Sequence, residues 1–438
     1  MVGRKSLSYW PSVLDLFLVA RLVVSDQSYG NEIDTAVIQH RLEQLQGEIN
    51  QLKAMLSQQQ VEQERTRQEI ETYRQKVQAQ ETLRAAEQDR LHIGGYGEIK
   101  GKFRQGSDAD FGDIHRLVLE IGYDFSDWVR FFSEWEVEHA LVSDTADGST
   151  GGYLMIEQAY FDFLLSDMFN VRAGRILTPM GIINKRHEPD TFFGVDRPSV
   201  ERYIIPTTWP SDGVGLFGNL GSHLAYEMYV VGGLDGSKFN AVNGIRSGRQ
   251  RERPGLNDPA VTGRLDYFPQ MSPGQDLRLG VSGYYGGLNN GNRGRNPGIS
   301  GKIRILSADF EYSIDKWDFR GVIVHTDISN ARQIGNGAAS EMFGWYLEGG
   351  YHFWPDSFKV GKLADSDAVA FVRYDHFDTQ HKMPSGIAAD PAGDRNTWTF
   401  GMNFDLTSNV VFKTDYQIQK DRAGNKENWL NFGLGFSF

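Results

Sequence analysis

The chain has 438 residues, 57 acidic against 45 basic side chains, a net charge of -12 and no cysteine. The acidic balance argues against a nucleic-acid partner, and without thiols neither a disulfide framework nor a thiolate metal site can form. No uninterrupted apolar run of about 20 residues follows the N-terminal segment, which excludes helical membrane spans but leaves open a barrel, where only alternate residues meet lipid.

Residues 1–30 combine Arg4 and Lys5 with the apolar run "VLDLFLVARLVV" at 13–24. This layout is that of an export signal peptide, although Asp15 and Arg21 interrupt the run. A plain N-terminal tail is the alternative. Residues 31–90 change texture, with Glu, Gln and Arg dominating. Ile38, Leu42, Leu45, Ile49, Leu52 and Leu56 fall at alternating spacings of four and three. That is the a/d seam of a left-handed coiled coil, which asks for a partner helix. Gln59, Gln63 and Thr66 then weaken the seam before Ile70, Tyr73 and Val77 restore it. The alternative is a lone solvated helix.

From Leu91 to Phe438 the period becomes two. Sixteen strands are predicted, at 91–103, 114–125, 128–140, 153–165, 169–176, 212–219, 223–232 and 260–269, then 276–287, 302–313, 317–326, 341–353, 368–378, 396–406, 409–420 and 428–438. Apolar residues take one face throughout. Leu117, Leu119, Ile121, Tyr123 and Phe125 oppose Arg116, Glu120 and Asp124. At the end of the chain Leu430, Phe432, Leu434, Phe436 and Phe438 oppose Asn431, Gly433, Gly435 and Ser437. One medium is apolar and the other wet, as for a barrel wall between lipid and a lumen. Tyr123, Phe125, Trp128, Trp317 and Trp429 stand near strand ends, where an interfacial girdle is expected. Short connections such as "SD", "SDM", "GSH" and "DK" alternate with long ones, the long "WPDSFKVGKLADSD" after strand twelve excepted. The fold expected is all-β: a sixteen-stranded antiparallel transmembrane barrel preceded by an α-helical coiled coil.

These features resemble the phosphate-selective porin O and P family: a coiled-coil N-terminus, a sixteen-strand barrel with a terminal Phe, and the segments "IEQAYFDF" (156–163) and "NVRAGRILTPMGI" (170–182). The resemblance covers the barrel, about 91–438. It implies a homotrimeric outer-membrane channel favouring anions such as phosphate, with inward Arg and Lys, outer-membrane lipid and lipopolysaccharide around it, and the coil in the periplasm.

A barrel of sixteen strands encloses water unless something folds into it. The connection at 177–211 is the candidate constriction, carrying Lys185, Arg186, Glu188, Asp190, Arg197 and Arg202, together with His187, Asp196 and Glu201. It either enters the pore or lies over the mouth or in a subunit contact. Alternation turns Lys100, Lys102, Arg116, Arg130, Arg264, Arg278, Arg320, Arg373 and Lys413 toward the lumen. The same rule turns in Glu98, Glu120, Glu134, Glu136, Glu138, Asp266, Asp318 and Asp375. Guanidinium rows suit oxyanions, but facing acidic rows produce the transverse field of a general diffusion pore, which leaves phosphate preference open. Arg246, Arg249, Arg251 and Arg253, with Arg293 and Arg295, fall in long loops. They serve either to gather anions at the entrance or to bind lipopolysaccharide, or are simply solvated.

Two other classes compete with the channel. An enzyme would need a nucleophile elbow or a zinc pair. No G-x-S-x-G exists and "HEPD" at 187–190 lacks the second His. No cofactor is expected. A structural anchor, reaching through the periplasm toward the cell wall on its coil, remains the alternative to the channel.

Overall fold

The computed structural model describes residues 35–88, 90–140, 152–250, 255–290 and 299–438. The predicted signal segment and Arg251, Arg253, Arg293 and Arg295 lie outside the described residues. The chain divides into two units, an N-terminal helical one and the barrel. Helix α1 spans Thr35–Gln88, 54 residues. Its seam residues Ile38, Leu42, Leu45, Ile49, Leu52 and Leu56 are all exposed on the single chain.

The barrel comprises β1 (Leu91–Arg104), β2 (Phe111–Ser126), β3 (Val129–Glu138), β4 (Tyr153–Leu164), β5 (Asn170–Leu177), β6 (Pro210–Asn219), β7 (Leu224–Val231) and β8 (Ala260–Tyr267). It continues with β9 (Gln275–Gly287), β10 (Lys302–Ile314), β11 (Trp317–Ile328), β12 (Glu341–His352), β13 (Asp367–Lys382), β14 (Asp394–Thr407), β15 (Val410–Asp421) and β16 (Lys426–Ser437). Every strand pairs antiparallel with its sequence neighbours, and β1 pairs with β16, Phe103 against Leu430 and Tyr96 against Ser437. All sixteen predicted strands are present.

The outer face is an apolar belt. Leu117, Val281, Leu306, Ile323, Leu347, Phe400 and Leu434 all point outward and are exposed. A continuous ring of such residues far exceeds the few hundred Å² of apolar patch that a soluble monomer leaves bare. Closure of β1 on β16 leaves no open sheet edge in the barrel, as hydrocarbon demands. Trp429 departs from the girdle expected for it. It faces inward beneath the Lys102 ammonium, 5.1 Å from the ring centroid, because Leu430 beside it takes the lipid side.

The inner face is not uniformly wet. On β7 to β13 apolar residues occupy both faces: Val322 and Val324 are buried inside while Ile323 is exposed outside, and Ile303 and Ile305 stand opposite Leu306. These inward groups join Tyr229, Tyr284, Met342 and Phe377 in a core within the barrel. Contrary to the expectation from alternation, the inner wall does not meet only water. Water is excluded from this side because the connection after β5 packs against it.

A charged loop bound across the lumen

The connection between β5 and β6, residues 178–209, is folded inside the barrel. It supplies Met180, Ile182, Ile183, Phe192, Val200, Ile204, Ile205 and Trp209 to the internal core, all at 3% exposure or less. A short helix α2 (Val200–Tyr203) forms one turn of it. Burying this much of a loop requires partners for its backbone, since an orphaned buried carbonyl costs as much as a lost hydrogen bond.

The wall's basic residues supply them. Arg116 of β2 donates to the His187 carbonyl at 2.6 Å, and Arg264 of β8 to that of Gly181 at 2.8 Å. Arg320 of β11 donates to Thr191 O at 3.1 Å, and Arg373 of β13 to Phe193 O and Asp196 O at 3.2 and 3.0 Å. Lys413 of β15 donates to Phe192 O at 2.6 Å and Gly194 O at 3.0 Å. Acceptors answer from the wall as well: Asp415 takes the Val195 amide at 2.6 Å. Because these partners stand on all sides of the barrel, the loop crosses the lumen; it does not lie over the mouth.

The same cations are paired along the wall. Arg116 meets Glu98 at 2.6 Å, Arg373 meets Glu348 and Asp375 at 3.1 Å each, and Arg320 meets Glu348 at 3.1 Å. Arg264 and Arg278 share Asp309, each at 2.8 Å, and Arg278 reaches Glu311 at 2.7 Å. Arg130 is mostly solvated near the short-turn end, 3.3 Å from Asp124. The basic residues singled out from the sequence therefore do face inward, but most of them are occupied.

The acidic row of β3 has divided roles. Glu134 accepts from Tyr96 Oη at 2.7 Å and Gln158 at 2.6 Å, and lies 3.5 Å from His187. His187 also stands 3.1 Å from Glu157. Burial alone would lower the His187 pKa, but the Glu134 and Glu157 carboxylates outweigh it and hold the imidazole up at about 9. Glu136 and Glu138 instead line an open cavity.

The loop residues separate by height. Lys185 and Arg186 pair with Glu227 of β7 and Glu311 of β10, toward the ends of those strands that carry short turns. Asp190 accepts from Ser437 at 2.7 Å on that same side, and Glu188 accepts from the Thr191 hydroxyl through its carbonyl at 2.8 Å. Arg197 and Arg202 occupy the long-loop side. Both border two cavities, of about 390 and 450 Å³. Lys102 and Asp196, joined at 2.5 Å, stand between the same cavities. Burial opposes ionisation of Asp196, but Lys102 and Lys100 hold its carboxyl far below the usual carboxylate range. Glu201 accepts the amides of Ile182 and Ile183 at 3.0 and 2.7 Å and the Tyr346 hydroxyl at 2.8 Å, while burial pushes its pKa up to about 7.

Residues that sequence reasoning missed are the acceptors on distant strands: Glu157, Glu227, Asp309, Glu311, Glu348, Asn403 and Asp415. Alternation gives all of them an inward face except Glu157, which sits on a bulge of β4, but only the fold reveals which cation or loop amide each meets. The long loop after β7 adds a lid-side contact, as Arg246 and Arg249 donate to the carbonyls of Thr207 and Thr208.

A closed lipid-facing barrel whose lumen is narrowed by an inserted charged loop defines a porin. The match to known proteins agrees. The family model described as "Phosphate-selective porin O and P" matches residues 89–430. An uncharacterized protein of Aquifex aeolicus (strain VF5) is 32% identical over 360 residues, covering 77% of each chain. Among solved structures, OprB of Pseudomonas putida aligns over 80% of this chain and 94% of its own, with TM-score 0.50 and 10% identity. An anion-selective porin from Comamonas acidovorans covers 80% and 99%, with TM-score 0.49 and 10% identity. A trimer form of OmpT from Vibrio cholerae covers 80% and 99%, with TM-score 0.45 and 11% identity. At 10% identity the likeness to OprB speaks for the fold alone. The chain belongs to the phosphate-selective porin O and P family. It is an outer-membrane channel.

Proposed function

We propose that this porin passes small hydrophilic solutes down their gradients, with anions favoured over cations, through the part of the lumen between the inserted loop and the walls of β1–β4 and β13–β16. The supporting observation is the charge of the two cavities that flank the loop. The one beside β13–β16 is lined by Lys102, Arg197, Arg202, Arg373, Arg395 and Lys420 against Asp196, Asp421 and Glu427. The other adds Lys100, Arg116, Arg246 and Arg249, countered by Asp113, Glu136, Glu138 and Glu157. Charges in a narrow, low-dielectric passage decide which ions enter. Arg202 is exposed and, among the described residues, makes no direct ion pair with a carboxylate, although its charge helps hold Asp196 ionised. On this reading loop 178–209 is the constriction and Lys102, Arg197 and Arg202 form its selective element, while Lys185 and Arg186 govern exit. Phosphate belongs to the anions served, as the family's description suggests.

The test is the reversal potential of the purified protein in a planar bilayer under a tenfold KCl gradient, repeated with phosphate. An anion-side potential that falls toward zero in Lys102→Gln/Arg202→Gln supports the assignment. A cation-selective wild type, or one unchanged by both substitutions, removes it.

Self-association is the second part of the reading. A helix with three clean a/d heptads left exposed needs partner helices, and a second and third copy of the chain supply matching seams. We place this coil in the periplasm, where 54 residues at about 1.5 Å each reach some 80 Å. An anchoring role toward the cell wall is compatible with transport through the barrel.

A further inference from the structure

Two backbone irregularities converge at the long-loop rim of β2 and β3. In the pairing of β1 with β2, Glu98 faces Arg116 but Ile99 faces Ile114, so His115 is an extra residue on β2. Such a bulge re-aims a side chain. Here it lets His115 and Arg116 both turn toward the lumen instead of sending one into lipid. Immediately after β3, His139 adopts φ +62°, a conformation uncommon outside glycine. Continued extension would have turned it to the opposite face from Glu138. Its amide instead donates to His115 O at 3.1 Å.

The result is two imidazoles beside one carboxylate. Asp113 Oδ2 lies 2.6 Å from His139 Nδ1 and 3.7 Å from His115 Nδ1. The rings stand edge to face, with centroids 5.9 Å apart. One donor atom from each of the three side chains lies within 4.8 Å of the other two. A tetrahedral Zn²⁺, with bonds of about 2.0–2.1 Å, requires donors about 3.3 Å apart, a spacing that small side-chain rotations here would meet. The supporting shell is suitable. Glu98 Oε1, held by Arg116 at 2.6 Å, sits 3.8 Å from the far nitrogen of His115, so a ring rotation toward it would be needed to form the carboxylate–histidine pair that orients metal-bound imidazoles. Lys100, opposite Asp113 in the strand pairing, directs its ammonium to Glu98 at 3.3 Å and Asp196 at 3.8 Å instead. Glu138 lines the same cavity as the three donors and offers a further carboxylate.

We propose that His115, His139 and Asp113 form a binding site for a divalent transition metal, of the Zn²⁺ or Ni²⁺ class, at the rim of the channel. Imidazole selects these ions over Mg²⁺ and Ca²⁺, which take all-oxygen sites. The site is reached from the cavity, and it adds a cation-binding function to a passage that otherwise favours anions. The alternative, a hydrogen-bonded His–Asp group with no metal affinity, is what the test must separate.

The experiment is titration of the purified full chain in detergent with Zn²⁺ alone, read by calorimetry, so it stands apart from the channel's ion preference. Binding is expected in the wild type, at least tenfold weaker in His139→Ala and in His115→Ala, and unaffected by excess Mg²⁺. His325→Ala, in a separate His–Asp–Glu group beside β12, is expected to leave these changes intact. Retained heat-modifiable migration shows that each variant keeps its barrel; if His115→Ala fails this, His139→Ala, outside the strand, carries the test. No Zn²⁺ binding by the wild type at millimolar concentration, or equal affinity in the His139→Ala variant, overturns the proposal.

Discussion

Replacing Arg373 with Met separates the barrel's stability from the loop's. The guanidinium is almost fully buried and makes four contacts, two to Glu348 and Asp375 and two to the loop carbonyls of Phe193 and Asp196. Methionine retains the apolar stem but no donor. Glu348 keeps Arg320 at 3.1 Å, whereas Asp375 loses its only paired cation among the described residues. Leaving a buried charge without its partner costs about 3–5 kcal/mol. The two lost loop bonds, charge-assisted and worth roughly 1.5–3 kcal/mol each, weaken loop docking by about 3 kcal/mol or more. At about 1.4 kcal/mol per tenfold, the undocked loop becomes on the order of a hundred times more populated. The sixteen strand ladders are untouched, so the barrel still assembles. The assay is single-channel recording together with limited proteolysis of 178–209. Arg373→Met is expected to show larger, noisier current steps and faster loop cleavage, while Arg130→Met, at a solvated pair, behaves as wild type. Wild-type conductance and wild-type protection in Arg373→Met would refute the claim that the basic wall holds the loop.

Three further predictions follow from the same contacts. Glu201 and His187 both have raised pKa values, near 7 and 9. Each favours the docked loop below its ordinary pKa and loses that contribution as pH climbs to the raised value, so conductance fluctuations should grow in two steps, one complete near pH 7 and the other near pH 9. Glu201→Gln should remove the step near 7 and spare the one near 9; a flat profile in the wild type would contradict this. Gly181 has φ +68°, and a Cβ there would stand 2.5 Å from a Glu201 carboxylate oxygen. Gly181→Ala should therefore loosen the loop by about 1 kcal/mol or more, read as a lower pH for the first step, and an unchanged profile would exclude the clash. Ile49→Glu puts a charge in the exposed seam of α1 and should reduce the trimer fraction by cross-linking, with single-barrel conductance retained; an unaltered trimer would show that the seam does not hold the copies together.

The fold was legible because lipid enforces a simple rule. Every strand must show hydrocarbon one apolar face, so the period of two and the alternating loop lengths located all sixteen strands within a few residues. The inner face obeys no such rule. Val322, Val324, Ile303 and Ile305 are apolar inside because they pack against a loop more than a hundred residues away in sequence, although apolar side chains on both faces of "GVIV" and "IRIL" carried that hint. Bulges at His115 and Glu157 were invisible, since one extra residue changes register without changing composition. The basic residues picked out by alternation lie on the inner wall. What alternation did not disclose is that carbonyls of the inserted loop take Arg116, Arg264, Arg320, Arg373 and Lys413.

The most direct measurement compares single-channel conductance of the wild type with that of a variant in which residues 180–207 are replaced by a short Gly-Ser linker. The wild type should open in discrete, ohmic steps, and the variant in steps several-fold larger with weaker ion preference. Equal conductance in the two proteins, or no channel in either despite a folded barrel, would contradict an inserted loop that sets the passage through this porin.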